Sequence, residues 1–301
     1  MSAIICTLNR PAYLRLAIDS LVRQSMASDH FEIIIVDNGP HDETRSVALN
    51  EFSSVPNLRY VEEPKTGLSV ARRTGWQLAV GNIVAYLDDD AIAGKGWLSQ
   101  LHAAFTSREP QPGCVGGPIE IIWEVPRPAW LSENLETNLT SLDLGGDLRE
   151  LEPHENVFGA NMAFQRSVLH ETNAFSEGLG RRGMKLLSNE ETLLQRQLGA
   201  RGYSRIYAPL AIVRHHAPAA RLTKAWFRRR AYWQGVSDAK VMCHEQELSH
   251  QQRLHVAAGR LRRDVFRPRS AWKATVNSDD PQCFEEQYRI AWGFGFARGV
   301  L

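Results

Sequence analysis

The chain has 301 residues, of which 43% are hydrophobic, so it can bury one large domain and a smaller appendage. Its four cysteines lack C-x-x-C spacing, which indicates neither a zinc ribbon nor a disulfide framework, and no apolar run approaches the roughly 20 residues that span a bilayer. The net charge is +1, but residues 214–273 hold 14 Lys and Arg against 4 Asp and Glu, an excess of +10 that leaves −9 elsewhere. Because that acidic remainder would repel phosphate, we expect no nucleic acid as a partner, and the absence of a signal-peptide pattern predicts a cytoplasmic protein.

Short apolar runs alternate with segments of helical spacing as far as Asp88. We predict strands in the run that begins at Ser2 and at residues 31–37, 58–61 and 82–87, with helices at 11–22, through 47–52 and at 68–80. The order β-α-β-α-β-α-β predicts an α/β fold with an open, mostly parallel sheet flanked by helices. Ligands of such sheets bind outside the carboxyl ends of the strands. The polar residues expected there are Thr7, Asn9, Asp37, Asp88 and Asp90.

Three consecutive carboxylates, Asp88, Asp89 and Asp90, follow the last of these strands. Adjacent carboxylates repel one another, so they need either full solvation or a cation to offset their charge. Asp88 and Asp90 have the spacing of a D-x-D pair, which can hold one hard divalent ion and leave positions for phosphate oxygens. The alternative is a solvated acidic loop.

Several short motifs occur in a characteristic order along the chain. They are IICTLNR at 4–10, VDNG at 36–39, GLSVAR at 67–72, LDDD at 87–90, GANMAF at 159–164, and NEETLL at 189–194 with RGY at 201–203. On this ordered set the chain resembles the family 2 glycosyltransferases, inverting nucleotide-sugar enzymes of the GT-A fold. The resemblance implies a transferase domain at 1–216, with a donor-binding part at 1–117 and an acceptor-side part at 118–216.

The same resemblance implies how a nucleotide-sugar donor is bound. Asp37 would accept a hydrogen bond from the ring N–H of a uracil-type base, although Asp-Asn-Gly is also an ordinary turn. Arg72 would approach the diphosphate, or it lies on a solvated helix face. Asp90 would be the principal ligand of Mn²⁺ or Mg²⁺, and Asp88 would touch the ribose or the same ion. The other expected donor-binding residues are Thr7, Asn9, Arg10 and Asp89.

Inverting transfer to a hydroxyl acceptor is helped by a general base. In the family this base is the second acid of a Glu-Asp pair at a helix start, and the aligned pair here is Glu190-Glu191. We therefore expect Glu191 to be the base. Glutamate is one methylene longer than aspartate, and Asn189 replaces the common glycine, so Glu190 stays an alternative. Both acids would in any case favour a helix N-terminus.

An apolar stretch at 206–213 leads to Arg214 and then to His215 and His216. Relatives often place a histidine here that faces the metal or the diphosphate, and a neutral imidazole is a competent ligand for ions such as Mn²⁺. We expect His215, ahead of His216, to contact the donor site. Otherwise the two histidines belong to a polar loop.

Two further regions leave alternatives open. Residues 123–156 form an irregular segment in which Trp123 and Trp130 either stack on a sugar or pack in a local core. Residues 217–301 form a basic, mainly helical appendage. In it, aromatic residues lie on both sides of three consecutive arginines at 228–230. This helix either lies on an anionic membrane surface or packs by its aromatic side chains while the arginines are solvated.

We therefore expect a metal-dependent inverting glycosyltransferase that moves a hexose-type sugar from a nucleoside diphosphate, UDP first, to a hydroxyl acceptor. The acceptor would be a glycan, a lipid-linked glycan or a small molecule. A sugar nucleotidyltransferase is one alternative, but the glycine-rich phosphate loop that it needs after the first strand is absent. The other is a non-catalytic nucleotide- or glycan-binding protein, which would not need Glu190 and Glu191.

Overall fold

The computed structural model describes residues 1–175, 178–183, 185–266 and 278–301. The chain divides into two compact units. Unit 1 consists of residues 1–122, 140–178 and 190–216, and unit 2 consists of residues 123–139, 179–189 and 217–301. The predicted assignment of 1–216 to a transferase domain, with its donor and acceptor parts, stays a prediction.

Unit 1 is built on an eight-stranded sheet whose first half follows the predicted alternation of strands and helices. Its first elements are β1 (Ser2–Thr7), α1 (Pro11–Val22), β2 (Glu32–Asp37), α2 (Asp42–Ser46), β3 (Leu58–Glu62), α3 (Leu68–Leu78) and β4 (Ile83–Asp88). Strand β1 lies between β2 and β4 and is parallel to both, and β3 is parallel to β2. The open, mostly parallel sheet flanked by helices is therefore confirmed.

The second half of unit 1 completes this sheet and adds a smaller one. The remaining elements are β5 (Ala91–Ala93), α4 (Trp97–Thr106), β6 (Cys114–Gly116), β7 (Ile119–Trp123), α5 (Glu133–Glu136, in unit 2), β8 (Arg149–Glu150), β9 (Asn161–Gln165), α6 (Arg166–Glu171), α7 (Glu190–Ala200), β10 (Arg205–Tyr207) and β11 (Val213–Ala217). The large sheet has the order β3-β2-β1-β4-β9-β6-β10-β8, and β9 is antiparallel to both of its neighbours. The small sheet has the order β5-β11-β7.

The core of unit 1 lies on both faces of the large sheet. Successive side chains of a strand point to opposite faces, so Ile4 and Ile34 pack in one apolar cluster and Ile5 and Ile35 pack in the other. A strand that is buried on both faces has a continuous run of apolar residues, as residues 33–36 do. This packing leaves the polar residues at the strand ends.

Unit 2 is mainly helical in its described part, with α8 (Lys224–Glu245), α9 (His250–Asp264) and α10 (Pro281–Val300). The backbones of α8 and α10 approach closely, because a Cβ on Gly295 would lie 2.9 Å from the Cα of Tyr232. Residues 267–277 of the predicted basic appendage lie outside the described residues. No helix in the described ranges combines the length and apolar character needed to cross a membrane.

The aromatic residues of unit 2 form a cluster around Trp130. Its ring lies 5.3 Å from that of Phe227 and 4.6 Å from that of Phe284, both with edge-on geometry. Trp130 is buried, which favours the local-core alternative over sugar stacking for this residue, whereas Trp123 is half-buried. In α8, Arg228 donates a hydrogen bond to Gln287 of α10 at 2.9 Å, so at least one arginine of the basic segment contacts a neighbouring helix.

Candidate functional site

The parallel register brings the ends of three strands of unit 1 together. Thr7 of β1 lies beside Asp37 of β2, and Cys6 of β1 lies beside Asp88 of β4. Residue Asn9 then turns the chain with a φ of 52°, a left-handed conformation that asparagine tolerates better than most residues. Polar groups from the first 90 residues therefore meet at one edge of the sheet, as the predicted strand order requires.

Two arginines of the chain offset the charge of the three consecutive carboxylates. Arg10 Nη1 donates to Asp89 Oδ1 at 3.1 Å and to Asp90 Oδ2 at 2.8 Å, and Arg72 Nη2 lies 3.3 Å from Asp88 Oδ1. Sequence reasoning considered only solvent or a bound cation for this purpose. These ion pairs join residues that are far apart in the sequence, so no local sequence pattern predicts them.

Asp89 is buried and is held by two hydrogen-bond donors. Besides Arg10, it accepts a hydrogen bond from Thr7 Oγ1 at 2.8 Å. Burial and the neighbouring Asp90 raise the pKa of Asp89 to about 6, against the opposing effects of Arg10 and Thr7. Asp89 and Thr7 thus tie the end of β1 to the end of β4.

Asp88, Asp90 and His215 could hold a metal ion together. One ligand atom from each lies within 4.8 Å of the others, and His215 Nε2 is 3.0 Å from Asp90 Oδ1. Strand β11 places His215 opposite Ala91 of β5, and the next backbone N–H, of His216, donates to the Asp90 carbonyl at 2.9 Å. Two carboxylates and an imidazole form a donor set that suits Mn²⁺.

Arg72 is almost completely buried beneath this cluster. Its Nη1 donates to Glu190 Oε1 at 2.6 Å, and its guanidinium carbon lies 5.9 Å from the Tyr86 ring centroid and 5.8 Å from that of Phe175. Gly159 makes room for it, since an added Cβ would overlap Nη2 and lie 3.0 Å from Cζ. The alternative of a solvated helix face is therefore wrong, and Arg72 joins the metal-binding candidates to the acidic pair of α7.

Helix α7 begins at Glu190, immediately after Asn189, which has a φ of 72°. Glycine adopts this left-handed conformation without strain and asparagine with little, which accounts physically for Asn189 in the place of a glycine. Burial and the adjacent Glu191 raise the pKa of Glu190 to about 8, although Arg72 opposes this effect. Glu191 is half-buried, and no group in the described ranges donates a hydrogen bond to its Oε2.

Asp37 is held by a different set of partners. It is fully buried, and it accepts hydrogen bonds from the Tyr60 hydroxyl at 2.8 Å and from the Gly39 N–H at 3.3 Å. The Gly39 contact lies within the Asp-Asn-Gly segment, so the turn and the base-binding interpretations of Asp37 both stay open. Tyr60 is a residue that sequence reasoning missed, and its position two residues after the start of β3 gave no signal of this contact.

The side chain of Asn38 organises the loop that follows β3. Its Nδ2 donates to the carbonyls of Glu63 at 3.1 Å and Lys65 at 2.9 Å, and its Oδ1 accepts from the Gly67 N–H at 2.7 Å. Gly67 precedes α3, which carries Arg72. The VDNG motif therefore places both Asp37 and the start of that helix.

Comparison with known protein families identifies the family of this chain. The model of the family described as "Glycosyl transferase family 2" matches residues 2–172, more than half of the chain. The chain belongs to glycosyltransferase family 2. It is accordingly a glycosyltransferase, as the resemblance predicted.

Curated relatives of this family member are similar over most of the chain. A glucosyl-dolichyl phosphate glucuronosyltransferase of Haloferax volcanii is 27% identical over 241 residues, which cover 79% of this chain and 75% of the relative. A succinoglycan biosynthesis protein, ExoM of Rhizobium meliloti, is 22% identical and covers 80% and 74% respectively. A validoxylamine A glucosyltransferase of Streptomyces hygroscopicus is 31% identical, but over only 38% of this chain and 26% of its own length.

Solved structures of glycosyltransferases share the GT-A fold with this chain. The mannosyltransferase PcManGT of Pyrobaculum calidifontis, in complex with GDP-Man and Mn²⁺, has a TM-score of 0.63 at 20% identity and covers 97% of this chain and 85% of its own. GalNAc-T7 with UDP, GalNAc and Mn²⁺ has a TM-score of 0.57 at 17% identity, with coverages of 82% and 51%. The predicted fold class is confirmed.

Proposed function

We propose that this family 2 glycosyltransferase moves a sugar from a nucleoside diphosphate to a hydroxyl acceptor, with inversion and with a divalent metal ion. The observation that carries the proposal is the constellation of Asp88, Asp90 and His215 joined through Arg72 to Glu190. It combines a donor set for a metal with an acidic pair suited to proton transfer. Both lie in unit 1.

The residues present fit a metal ion such as Mn²⁺ or Mg²⁺. Adjacent ligands of an octahedral ion bound at about 2.1 Å lie about 3.0 Å apart. The distance from His215 Nε2 to Asp90 Oδ1 is also 3.0 Å, and Asp88 supplies a third ligand atom. When bound, the ion would stabilise the negative charge that develops on the leaving diphosphate. Mn²⁺ in the PcManGT and GalNAc-T7 structures supports this choice.

The proposed base is Glu191. Glu190 is buried and its Oε1 accepts a hydrogen bond from Arg72 at 2.6 Å, whereas the side chain of Glu191 is more exposed; the Oε2 atoms of both residues receive no hydrogen bond from the described residues. An acceptor hydroxyl reaches the more exposed carboxylate more easily than one that is held in a buried ion pair, and that carboxylate can accept its proton. Glu190 and Arg72 then serve to hold the beginning of α7 in place.

We propose UDP as the donor nucleotide, with Asp37 accepting the uracil N–H. A carboxylate can accept about four hydrogen bonds, so Asp37 has capacity beyond the two from Tyr60 and Gly39, and because it is fully buried the base would reach it only after neighbouring groups move aside. TarS of S. aureus in complex with UDP-GlcNAc, similar to this chain with a TM-score of 0.54, supports a uridine donor. The GDP-Man bound to PcManGT favours guanosine, so the test must include both bases.

The proposed class of acceptor is supported by the names of relatives alone. Glucosyl-dolichyl phosphate in one relative's name and succinoglycan in another's support a glycan or lipid-linked hydroxyl acceptor. Contact with a membrane surface through the basic C-terminal helices, at the inner face of the cytoplasmic membrane, would give access to a lipid-linked acceptor. Arg228 and Arg229 of α8 are exposed and can contribute to such contact.

A panel of UDP- and GDP-sugars tests the proposal. Each is added with Mn²⁺, and both the thermal stability and the release of nucleotide diphosphate are measured, because a specific ligand raises stability by mass action. We expect one uridine sugar to stabilise the wild type and to turn over. Asp90→Asn, which removes a charge from the metal site, should abolish both effects. Undiminished turnover of this variant, or of the wild type in excess EDTA, would refute the metal-dependent mechanism.

A further inference from the structure

The two arginines that offset the charge of Asp88, Asp89 and Asp90 differ in how firmly they are held. The side chain of Arg72 is 3% exposed and is fixed by Glu190 and by two aromatic rings. The side chain of Arg10 is 36% exposed and has the two carboxylates as its partners. Of the two, only Arg10 is exposed enough to turn towards solvent, and another cation must then offset the buried carboxylate of Asp90 in its place.

Arg10 also contacts the residue that the proposed metal needs most. Both oxygens of Asp90 receive a contact, Oδ2 from Arg10 Nη1 at 2.8 Å and Oδ1 from His215 Nε2 at 3.0 Å. A divalent ion held by Asp90 and His215 would therefore lie close to a guanidinium of the same sign. Asp88 and Asp89 offset part of this positive charge, but the ion and Arg10 would share the carboxylate of Asp90 and repel each other, so the two contacts oppose each other.

A nucleoside diphosphate would change this balance. Its negative charge can offset both the ion and a guanidinium that has turned away from Asp90, and guanidinium binds phosphate well. Arg10 ends the loop after β1, so it lies at the same strand edge as Asp37 and the three aspartates. Diphosphate therefore favours the state in which the metal is bound and Arg10 is released.

We propose that Arg10 is an exchangeable counter-cation that makes metal binding depend on the nucleotide. Without donor, Arg10 holds Asp89 and Asp90 and keeps the affinity for metal low; with donor, it leaves Asp90 for the diphosphate. This inference deepens the proposed function and rests on it. In this proposal Arg10 couples the binding of Mn²⁺ to the binding of UDP. Such coupling is reciprocal, so UDP raises the affinity for Mn²⁺ by the same factor by which Mn²⁺ raises the affinity for UDP.

The test measures Mn²⁺ binding by electron paramagnetic resonance of free Mn²⁺, with and without saturating UDP. For Arg10→Gln we expect Mn²⁺ alone to bind roughly 10-fold more tightly than to the wild type, within the usual range of coupling factors. We expect the enhancement by UDP to shrink by a similar factor. Arg10→Lys keeps the charge, so it should stay near the wild type.

Arg15→Gln is the matched control, since Arg15 lies on the neighbouring helix α1 and pairs with Glu51 instead of with the triplet. It should leave both Mn²⁺ affinities unchanged. Weaker or unchanged Mn²⁺ binding by Arg10→Gln would overturn the inference and leave the metal-dependent function standing, because Arg10 would then only position Asp90. A wild type that binds no Mn²⁺ even with UDP would overturn both.

Discussion

Gly159 makes room for the guanidinium that joins the metal-binding candidates to the acidic pair, and its substitution is the sharpest test of that geometry. An alanine Cβ at this position would overlap Arg72 Nη2 and lie 3.0 Å from Cζ. The guanidinium cannot retreat easily, because Tyr86 and Phe175 lie near it and Glu190 and Asp88 accept its hydrogen bonds. Gly159→Ala should therefore break at least one buried ion pair.

The expected cost follows from that loss. Breaking a buried ion pair destabilises a protein by about 3–5 kcal/mol, since it leaves an uncompensated charge, so we expect Gly159→Ala to lower the free energy of unfolding by about 3 kcal/mol. The backbone adds no penalty, because Gly159 is not among the glycines with positive φ. Transfer activity should fall as well, since Glu190 would lose its partner at the start of α7.

Urea unfolding followed by tryptophan fluorescence measures the loss of stability. Gly146→Ala is the matched control, because a Cβ there meets no atom within 4 Å, and it should cost no more than about 0.5 kcal/mol. In an Arg72→Met background the Gly159 substitution should cost far less, since the clashing group is gone. A Gly159→Ala protein within about 1 kcal/mol of the wild type would show that the pocket around Arg72 is not tightly packed.

Three further outcomes are expected. Glu191→Gln should lower kcat by roughly 100-fold with little change in donor affinity, and a larger loss in Glu190→Gln would move the base by one residue. The free energy of unfolding should fall as the pH rises from about 5 to 8, because burial raises the pKa of Glu190 to about 8 and the folded protein then holds a proton that the unfolded chain has lost; urea unfolding that shows no such fall would contradict this. Converting residues 228–230 to Gln should weaken binding to anionic liposomes by about 100-fold at low salt, since each charge contributes about 1 kcal/mol near such a surface; a wild type that ignores these liposomes would remove the membrane contact.

Local sequence patterns were enough to place the strands and the order of the sheet. The apolar run at 33–36 predicted a strand buried on both faces, and the strand order predicted the carboxylates after β4 at the sheet edge, as the structure has them. The positions of Thr7, the last residue of β1, and of Arg10, three residues later, likewise follow from chain order. For these features the periodicity of neighbouring side chains carries the information.

The charge pairing at the site could not be predicted in the same way. Arg10 reaches Asp89 across 79 residues and Arg72 reaches Glu190 across 118, and no local pattern marks either arginine as buried or paired. The expectation that solvation or a cation offsets the three aspartates therefore did not identify Arg10 and Arg72 as cations that do so. Such pairs depend on which strands become neighbours, and that is decided when the sheet forms.

The sequence by itself determined which chemical groups this glycosyltransferase has and at which edge of the sheet they gather, because strand periodicity and motif order are local properties of the chain. The tertiary structure alone decided how those groups divide their roles: Arg72 and Glu190 are buried as a pair, Glu191 stays more exposed, and Arg10 occupies Asp90. Burial and charge pairing depend on atoms that packing brings together from distant parts of the chain, so they exist only in the folded protein.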